Sequence, residues 1–278
     1  EKDDRPICPI CDERATMQMH PRMSGTGIKS YYKCDNKHDF NVYGVLVDVF
    51  GEPLKKKPVE GAPVKPNLKY EIKGDAATIT GCDKKASGAL IIPATIEGKS
   101  VTSIGDKAFA ECTSLTSITI PDGVASIGEA AFYDCANLTS ITIPDSVTSI
   151  GRYAFVSCTS LTSITIPDSV TSIGDGVFVS CTRLTSIMIP DSVTSIGVRA
   201  FVSCTSLTSI TIPDSVTSIG EEAFSWCVIL TAVTFLGDAP EVGSDVYSVN
   251  TTIYRKPEAK GWGDTFAGRP VKLISEKP

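Results

Sequence analysis

The chain has 278 residues, 42% hydrophobic and 21% charged, with 26 basic against 32 acidic side chains. That composition can build a core, which excludes wholesale disorder, and no run of about eighteen apolar residues exists to span a membrane. Its two histidines, His20 and His38, lie near the amino terminus, which excludes His-based acid–base or nucleophilic chemistry beyond residue 40.

In chain order, residues 1–50 carry the first chemistry. Cys8 and Cys11 form a CPIC pair, Cys34 comes after 22 intervening residues, and His38 after three more. Three thiolates and one imidazole make a permitted tetrahedral zinc set, and a segment this short needs a metal to supply missing core stability. With all four places filled the site is structural, holding Zn²⁺ through Cys8, Cys11, Cys34 and His38, with His20 as a competing fourth ligand. CPxC resembles a zinc knuckle, and the stretch from Tyr31 to Phe40 resembles the second half of a zinc ribbon. Ribbons of this kind occur in phage late-gene activators, usually with Cys at the fourth place; near-balanced charge over residues 1–68, eleven basic and ten acidic, argues against nucleic-acid binding by this segment. Residues 51–68, rich in Pro and Lys, read as an extended linker.

Residues 69–98 are predicted to cap a repeat array on its amino-terminal side. From 99 to 236 the chain repeats every 23 residues: Phe109, Phe132, Phe155, Phe178, Phe201 and Phe224 keep the step, and so do Cys112 to Cys227 and Leu115 to Leu230. A fixed period of this length means a solenoid. Within one unit, alternation of Ile164 and Ile166 with Ser163 and Thr165 predicts a short strand with one wet face. Pro167 and Asp168 break it, Val170 to Ile173 extend again, and Gly174 turns the chain. Phe178 and Cys181, three apart, predict a helical or 3₁₀ turn. One unit is too small to fold alone, so stacking must stabilise it. Residues 237–278 close the array.

The pattern LxxIxIPxxVxxIGxxAFxxCxxL resembles the BspA-like leucine-rich repeat of bacterial and protist surface proteins, over residues 70–275. The stretch from Tyr70 through Pro93 to Val101 resembles that family's opening unit. Residues Gly237 to Pro240, Trp262 and Gly268 to Val271 resemble its closing unit. The resemblance implies a leucine-rich repeat solenoid of short strands and helical or 3₁₀ turns, and adhesion to proteins or cell surfaces.

Outward strand positions hold two hydroxyl rows. One is Ser117, Ser140, Ser163, Ser186 and Ser209; the other is Thr119, Thr142, Thr165 and Thr211, interrupted by Met188. They read either as a docking face or as residues that suit an exposed strand. Asp122, Asp145, Asp168, Asp191 and Asp214 form a row better explained by turns than by calcium. The cysteine row reads as reduced core. Only positions after each glycine vary freely, so specificity encoded by side chains is expected at Arg152, Tyr153 and Arg199, with Ser163 and Thr165 as the hydroxyl-face alternative.

Residues 99–236 carry five basic and twelve acidic side chains, a net of −7 that repels nucleic acid and anionic lipid. The expected function is a non-enzymatic binding scaffold for a protein or cell-surface ligand. The alternatives are an intracellular adaptor whose ribbon contacts nucleic acid or protein, and a structural spacer. Location divides the same way. The resemblance implies secretion or the cell surface, whereas unpaired cysteines and zinc ligands imply a reducing cytoplasm. The chain starts at Glu1 with neither an initiator Met nor a signal-peptide apolar stretch, so upstream sequence is expected to separate the two.

Overall fold

The computed structural model describes residues 68–276, together with the backbone of three strands nearer the amino terminus, Thr16–Met19, Ser30–Lys33 and Asp39–Phe40. The chain divides into two compact units, residues 1–62 and 63–278. In the first, the three strands pair antiparallel in chain order. The expected zinc ligands Cys8, Cys11, Cys34 and His38, and the competing His20, lie outside the described residues.

The second unit is a solenoid of six rungs, residues 99–121, 122–144, 145–167, 168–190, 191–213 and 214–236. In the second to sixth rungs a two-residue Ser-Ile strand, as at Ser126–Ile127 and Ser195–Ile196, precedes the glycine, and in the first the longer strand Lys99–Ile104 does. A turn carrying Phe and Cys comes next, then a second strand such as Leu115–Thr119. Equivalent residues stack in parallel register one period apart, Ser126 on Ser149 and Ser140 on Ser117. Alternation does what the pattern requires: Leu, Ile, Phe, Val and Cys columns are buried in one continuous core, and Phe109 through Phe224 stack ring on ring at 5.1–5.6 Å. Tyr247 extends the stack at 5.7 Å.

Each buried thiol has a defined partner. Cys135, Cys158, Cys181, Cys204 and Cys227 donate to the carbonyl of the phenylalanine one rung back, at 3.1–3.3 Å. Burial pushes the Cys135 and Cys181 thiols up to about 12. Cysteine suits the column because it is small and apolar yet carries one weak donor for a carbonyl facing the core.

The turns correct the expected helical path. Among the described residues the only helix is the short 3₁₀ segment Ile274–Glu276. The turn of each rung instead places its second and sixth residues after the glycine in the left-handed region, for example Tyr153 (φ 60°) and Ser157 (φ 58°). The turns keep isolated i→i+3 bonds, Cys158 N–H to Phe155 O and Val156 N–H to Tyr153 O. Left-handed residues cannot propagate a right-handed helix. They turn the remaining N–H groups outward along the stack, so Tyr153, Phe155 and Ser157 donate to Asp175, Val177 and Val179 of the next rung.

The strand sides are less continuous than the turn side. Gly128, Gly151, Gly197 and Gly220 each donate to the isoleucine carbonyl one rung back. No such bond joins Gly174 to Ile150, and Ser149–Ile150 does not pair with Ser172–Ile173. The second-strand sheet, of which Gly88–Ile91, Leu115–Thr119 and Ser140–Thr142 form one part, is interrupted in the middle rungs, where a single bridge joins Thr165 to Met188. It resumes from Ser209–Ile212 through Ala232–Phe235 to Thr252–Arg255 and Arg269–Leu273.

Both ends are capped. Lys69–Lys73 pairs antiparallel with Ala76–Gly81, which lies parallel on Lys99–Ile104. At the far end Phe235, Trp262 and Phe266 pack as an aromatic cluster with centroids 4.7–5.7 Å apart. The Trp262 Nε1–H donates to Gly237 O. No described helix is long and apolar enough to cross a membrane.

Candidate binding surfaces

The turn side carries three of the residues singled out in the sequence, and each reaches its equivalent one rung on. Arg152 lies 3.3 Å from the Asp175 carboxylate, and Arg199 lies 2.8 Å from that of Glu222. The Glu222 carboxylate holds the Arg199 guanidinium above its ordinary pKa. The Tyr153 ring rests on Gly176, which has φ 61° and where any Cβ would fall inside the ring's contact distance. Arg152 sits over the other part of that ring, 5.5 Å from its centroid. The ring above it is what requires glycine at position 176, since the same left-handed backbone is adopted by Lys107, Ala130, Tyr153, Arg199 and Glu222 in the other rungs. These pairs are solvent-exposed, so each contributes little stability. Their effect is to make each rung chemically specific for its neighbour.

Around them runs a groove of about 560 Å³. Ala110, Ala130, Val156 and Val179 give it an apolar floor, and Tyr133 and Tyr153 stand in its walls. Lys107, Glu111, Glu129 and Arg199 supply charges of both signs. It extends from the first rung to the fifth, roughly 20 Å at the ordinary spacing of stacked strands. Glu111 is engaged by Lys84 of the opening unit at 2.9 Å, which holds its carboxyl below the usual range.

Ser163 and Thr165 are exposed on the strand side, apart from the groove. Many other hydroxyls of the repeat donate to backbone carbonyls of the preceding rung. Thr139 and Thr185 donate to Thr116 O and Thr162 O one rung back, and Ser146, Ser192 and Ser215 donate to Val124 O, Val170 O and Val193 O at 2.7 Å. The abundance of Ser and Thr therefore has a structural cause at these columns. The outward rows do not form unbroken ladders, because the sheet is interrupted beside Ser163 and Thr165 and because Thr234 is buried. Met188, 78% exposed, projects beside a second hollow of about 480 Å³ shared with Ile187, Ile189, Pro213 and Leu236.

Among the described residues no group of three or more His, Cys, Asp or Glu side chains is placed to hold a metal ion. The aspartate row, spaced one period apart, lies at the turns that break each second strand.

Two groove residues carry weaker signals in the sequence. Tyr133 occupies a column otherwise held by Ala110, Val156, Val179, Val202 and Ser225, and the signal available is that it is the one aromatic there. Gly176 replaces a side chain in a column of Lys107, Ala130, Tyr153, Arg199 and Glu222, a loss that marks where the neighbouring ring must lie.

Comparison with known proteins agrees with this architecture. Residues 91–204 and 171–255 match the model of the BspA type leucine rich repeat region, in 6 copies. The crystal structure of the T. pallidum leucine rich repeat protein TpLRR is similar, with 34% identity and a TM-score of 0.61, covering 64% of this chain and 84% of that one. A leucine rich cell surface protein from Faecalibacterium prausnitzii matches at 25% identity and a TM-score of 0.41, covering 71% of this chain and 76% of that one. No curated protein matches. A 23-residue period, parallel rungs on a Phe–Cys–Leu core and a family match from residue 91 to residue 255 lead to one assignment: the chain belongs to the BspA type leucine-rich repeat family.

Proposed function

We propose that the protein is a non-enzymatic binding scaffold that recognises a protein or cell-surface ligand through the turn side of its solenoid. The observation that carries this reading is the groove itself. It is elongated, apolar along its floor, walled by two exposed tyrosines and edged by charges of both signs, the character of a recognition surface rather than a reaction centre. The strand faces of these rungs are near-copies, so across rungs one to five a partner finds distinctive side chains chiefly on the turn side. The test is a binding comparison with a partner captured by the intact protein. Changing Arg152, Tyr153 and Arg199 together to Ala should weaken capture severalfold, whereas Ser163→Ala with Thr165→Ala should leave it unchanged. The opposite ranking would move the site to the hydroxyl face.

We also propose that residues 1–50 form a zinc ribbon held by Cys8, Cys11, Cys34 and His38. The support is the donor set and its spacing, which match a closed structural site. This ribbon would give the scaffold a second arm for contacting a protein or, as in the adaptor reading, nucleic acid.

A further inference from the structure

The sixth rung breaks the surface rule that the first five obey. At the corner after the phenylalanine, the columns read Glu111, Asp134, Ser157, Ser180, Ser203, then Trp226; Thr113, Ala136, Thr159, Thr182, Thr205, then Val228; and Ser114, Asn137, Ser160, Arg183, Ser206, then Ile229. Small and polar residues become large and apolar at all three columns in one rung. Val249 lies in the closing unit, one period after Trp226. None of the four is drawn into the core: Trp226 is 68% exposed, Val228 51%, Ile229 45% and Val249 77%.

Trp226 also stands in the left-handed backbone region, φ 61°, at a position where the three preceding rungs have serine at 58–61°. A bulky aromatic is poorly suited to that region. The neighbour-to-neighbour ladder of turn N–H groups that runs through Ser203 includes no bond from Trp226. Neither the core nor the ladder therefore requires tryptophan here, and an exposed apolar cluster of this kind marks an interface.

We propose that this corner is a self-association surface, and that its occupant is the same corner of a second copy of the chain, related by a two-fold axis. The area fits. The four side chains leave roughly 400 Å² of apolar surface open, taking about 250 Å² for a whole tryptophan and less for the others. One side of a standard interface buries about 800 Å², of which roughly 60% is apolar. The patch thus supplies nearly the whole apolar share of one side. The margin fits as well. Glu222 is paired with Arg199 on the rung of Trp226, Asp245 lies on the turn of Val249, and the Arg269 Nη1–H donates to Val249 O at 2.9 Å. Both signs of charge lie around one apolar centre, so a two-fold copy can set each sign against its opposite. A partner of strong single charge gains no such match. Tryptophan, the most exposed of the three rung-six residues, is a residue type enriched among those that dominate interface energetics.

Sedimentation of the full chain across a concentration series up to the high micromolar range tests this. The mass should rise from 29.5 kDa towards twice that value. The triple variant Trp226→Ser, Val228→Thr, Ile229→Ser carries what the third and fifth rungs have at these columns, so the fold can accept it. It should stay monomeric at every concentration, with the circular dichroism of the parent. Met188→Thr, which removes the exposed apolar side chain of the other hollow, should dimerise like the parent. In the unmodified protein, acrylamide quenching of tryptophan should fall as concentration rises, because Trp226 becomes covered while Trp262 is already packed. A parent that remains monomeric throughout, or a triple variant that dimerises as well as the parent, would overturn the proposal. A parent that is monomeric alone yet loses capture of another protein in the triple variant would give the corner to a different partner and equally overturn it.

Discussion

Six glycines occupy the same place in six rungs, and the structure distinguishes one of them. An alanine Cβ at Gly151 would lie 2.5 Å from the backbone of Gly128, and at Gly197 it would lie 2.6 Å from the Asp175 side chain and 2.7 Å from its backbone nitrogen. At Gly174 the nearest atom, Ile150 O, is 3.5 Å away, an ordinary contact. None of these three has positive φ, so the difference is one of space alone. Gly151→Ala and Gly197→Ala must push the adjacent rung back, at the cost of overpacking, about 1–3 kcal/mol, and of the ladder bond to Ile127 or Ile173, about 1 kcal/mol. Gly174→Ala incurs neither. It gains about 0.4–1 kcal/mol because alanine restricts the unfolded chain more than glycine does. All three substitutions share that unfolded-state gain, so the expected separation is about 2–4 kcal/mol, the overpacking and the lost bond alone. Urea unfolding followed by circular dichroism, comparing midpoints because a repeat array need not unfold in two states, reads it directly. Equal midpoints for Gly151→Ala and Gly174→Ala would refute the reasoning and show the middle rungs to be as tightly stacked as the others.

Phe155→Ala, which opens a cavity in a fully buried stack between Phe132 and Phe178, should cost about 3–5 kcal/mol, whereas exposed Thr165→Ala should cost under about 0.5 kcal/mol in the same unfolding assay. Metal analysis should give one zinc per chain, lost on Cys34→Ser, with His38→Ala severe and His20→Ala mild; the reverse order would transfer the fourth ligand to His20. Stability should fall as pH rises from about 9 towards about 12. Burial lifts Cys135 and Cys181 from 9.0 to about 12, so between those values the unfolded state has lost protons that the folded state retains, at up to about 1.4 kcal/mol per thiol per pH unit. Thermal melts at stepped alkaline pH check this, and Cys135→Ala with Cys181→Ala should flatten the decline.

The inward columns were legible because each keeps one residue type and one spacing, and because polar and apolar residues alternate along every second strand. The path of the turn was not. Phe178 and Cys181, three apart, fit a helical turn equally well, and the left-handed residues that rule one out include Lys107, Tyr153, Arg199 and Trp226. None is a residue whose presence announces that conformation; Gly176 alone does. Variation after each glycine read as ligand specificity, yet Arg152 with Asp175 and Arg199 with Glu222 are opposite charges one period apart. That spacing was visible in the sequence and says that part of the variation matches rung to rung. Trp226 was obscured by its surroundings, since five rungs of small and polar residues set the expectation for the sixth.

The direction of the turn-side bonds has an electrical consequence. In rung after rung the N–H groups there point towards the carboxyl-terminal end and the carbonyls towards the amino-terminal end. Their dipoles add along the axis, as in an α-helix but with the opposite polarity relative to the chain. The opening of the solenoid is thus the negative pole on this side, and Lys84 places its ammonium on the Ala110 carbonyl there. The far end is the positive pole, and acidic side chains gather at it: Glu221, Glu222 and Asp245. On the strand sides the N–H groups of Gly128, Thr139 and Thr148 point the other way, so this polarity belongs to the turn face alone, and that face has a preferred charge at each terminus.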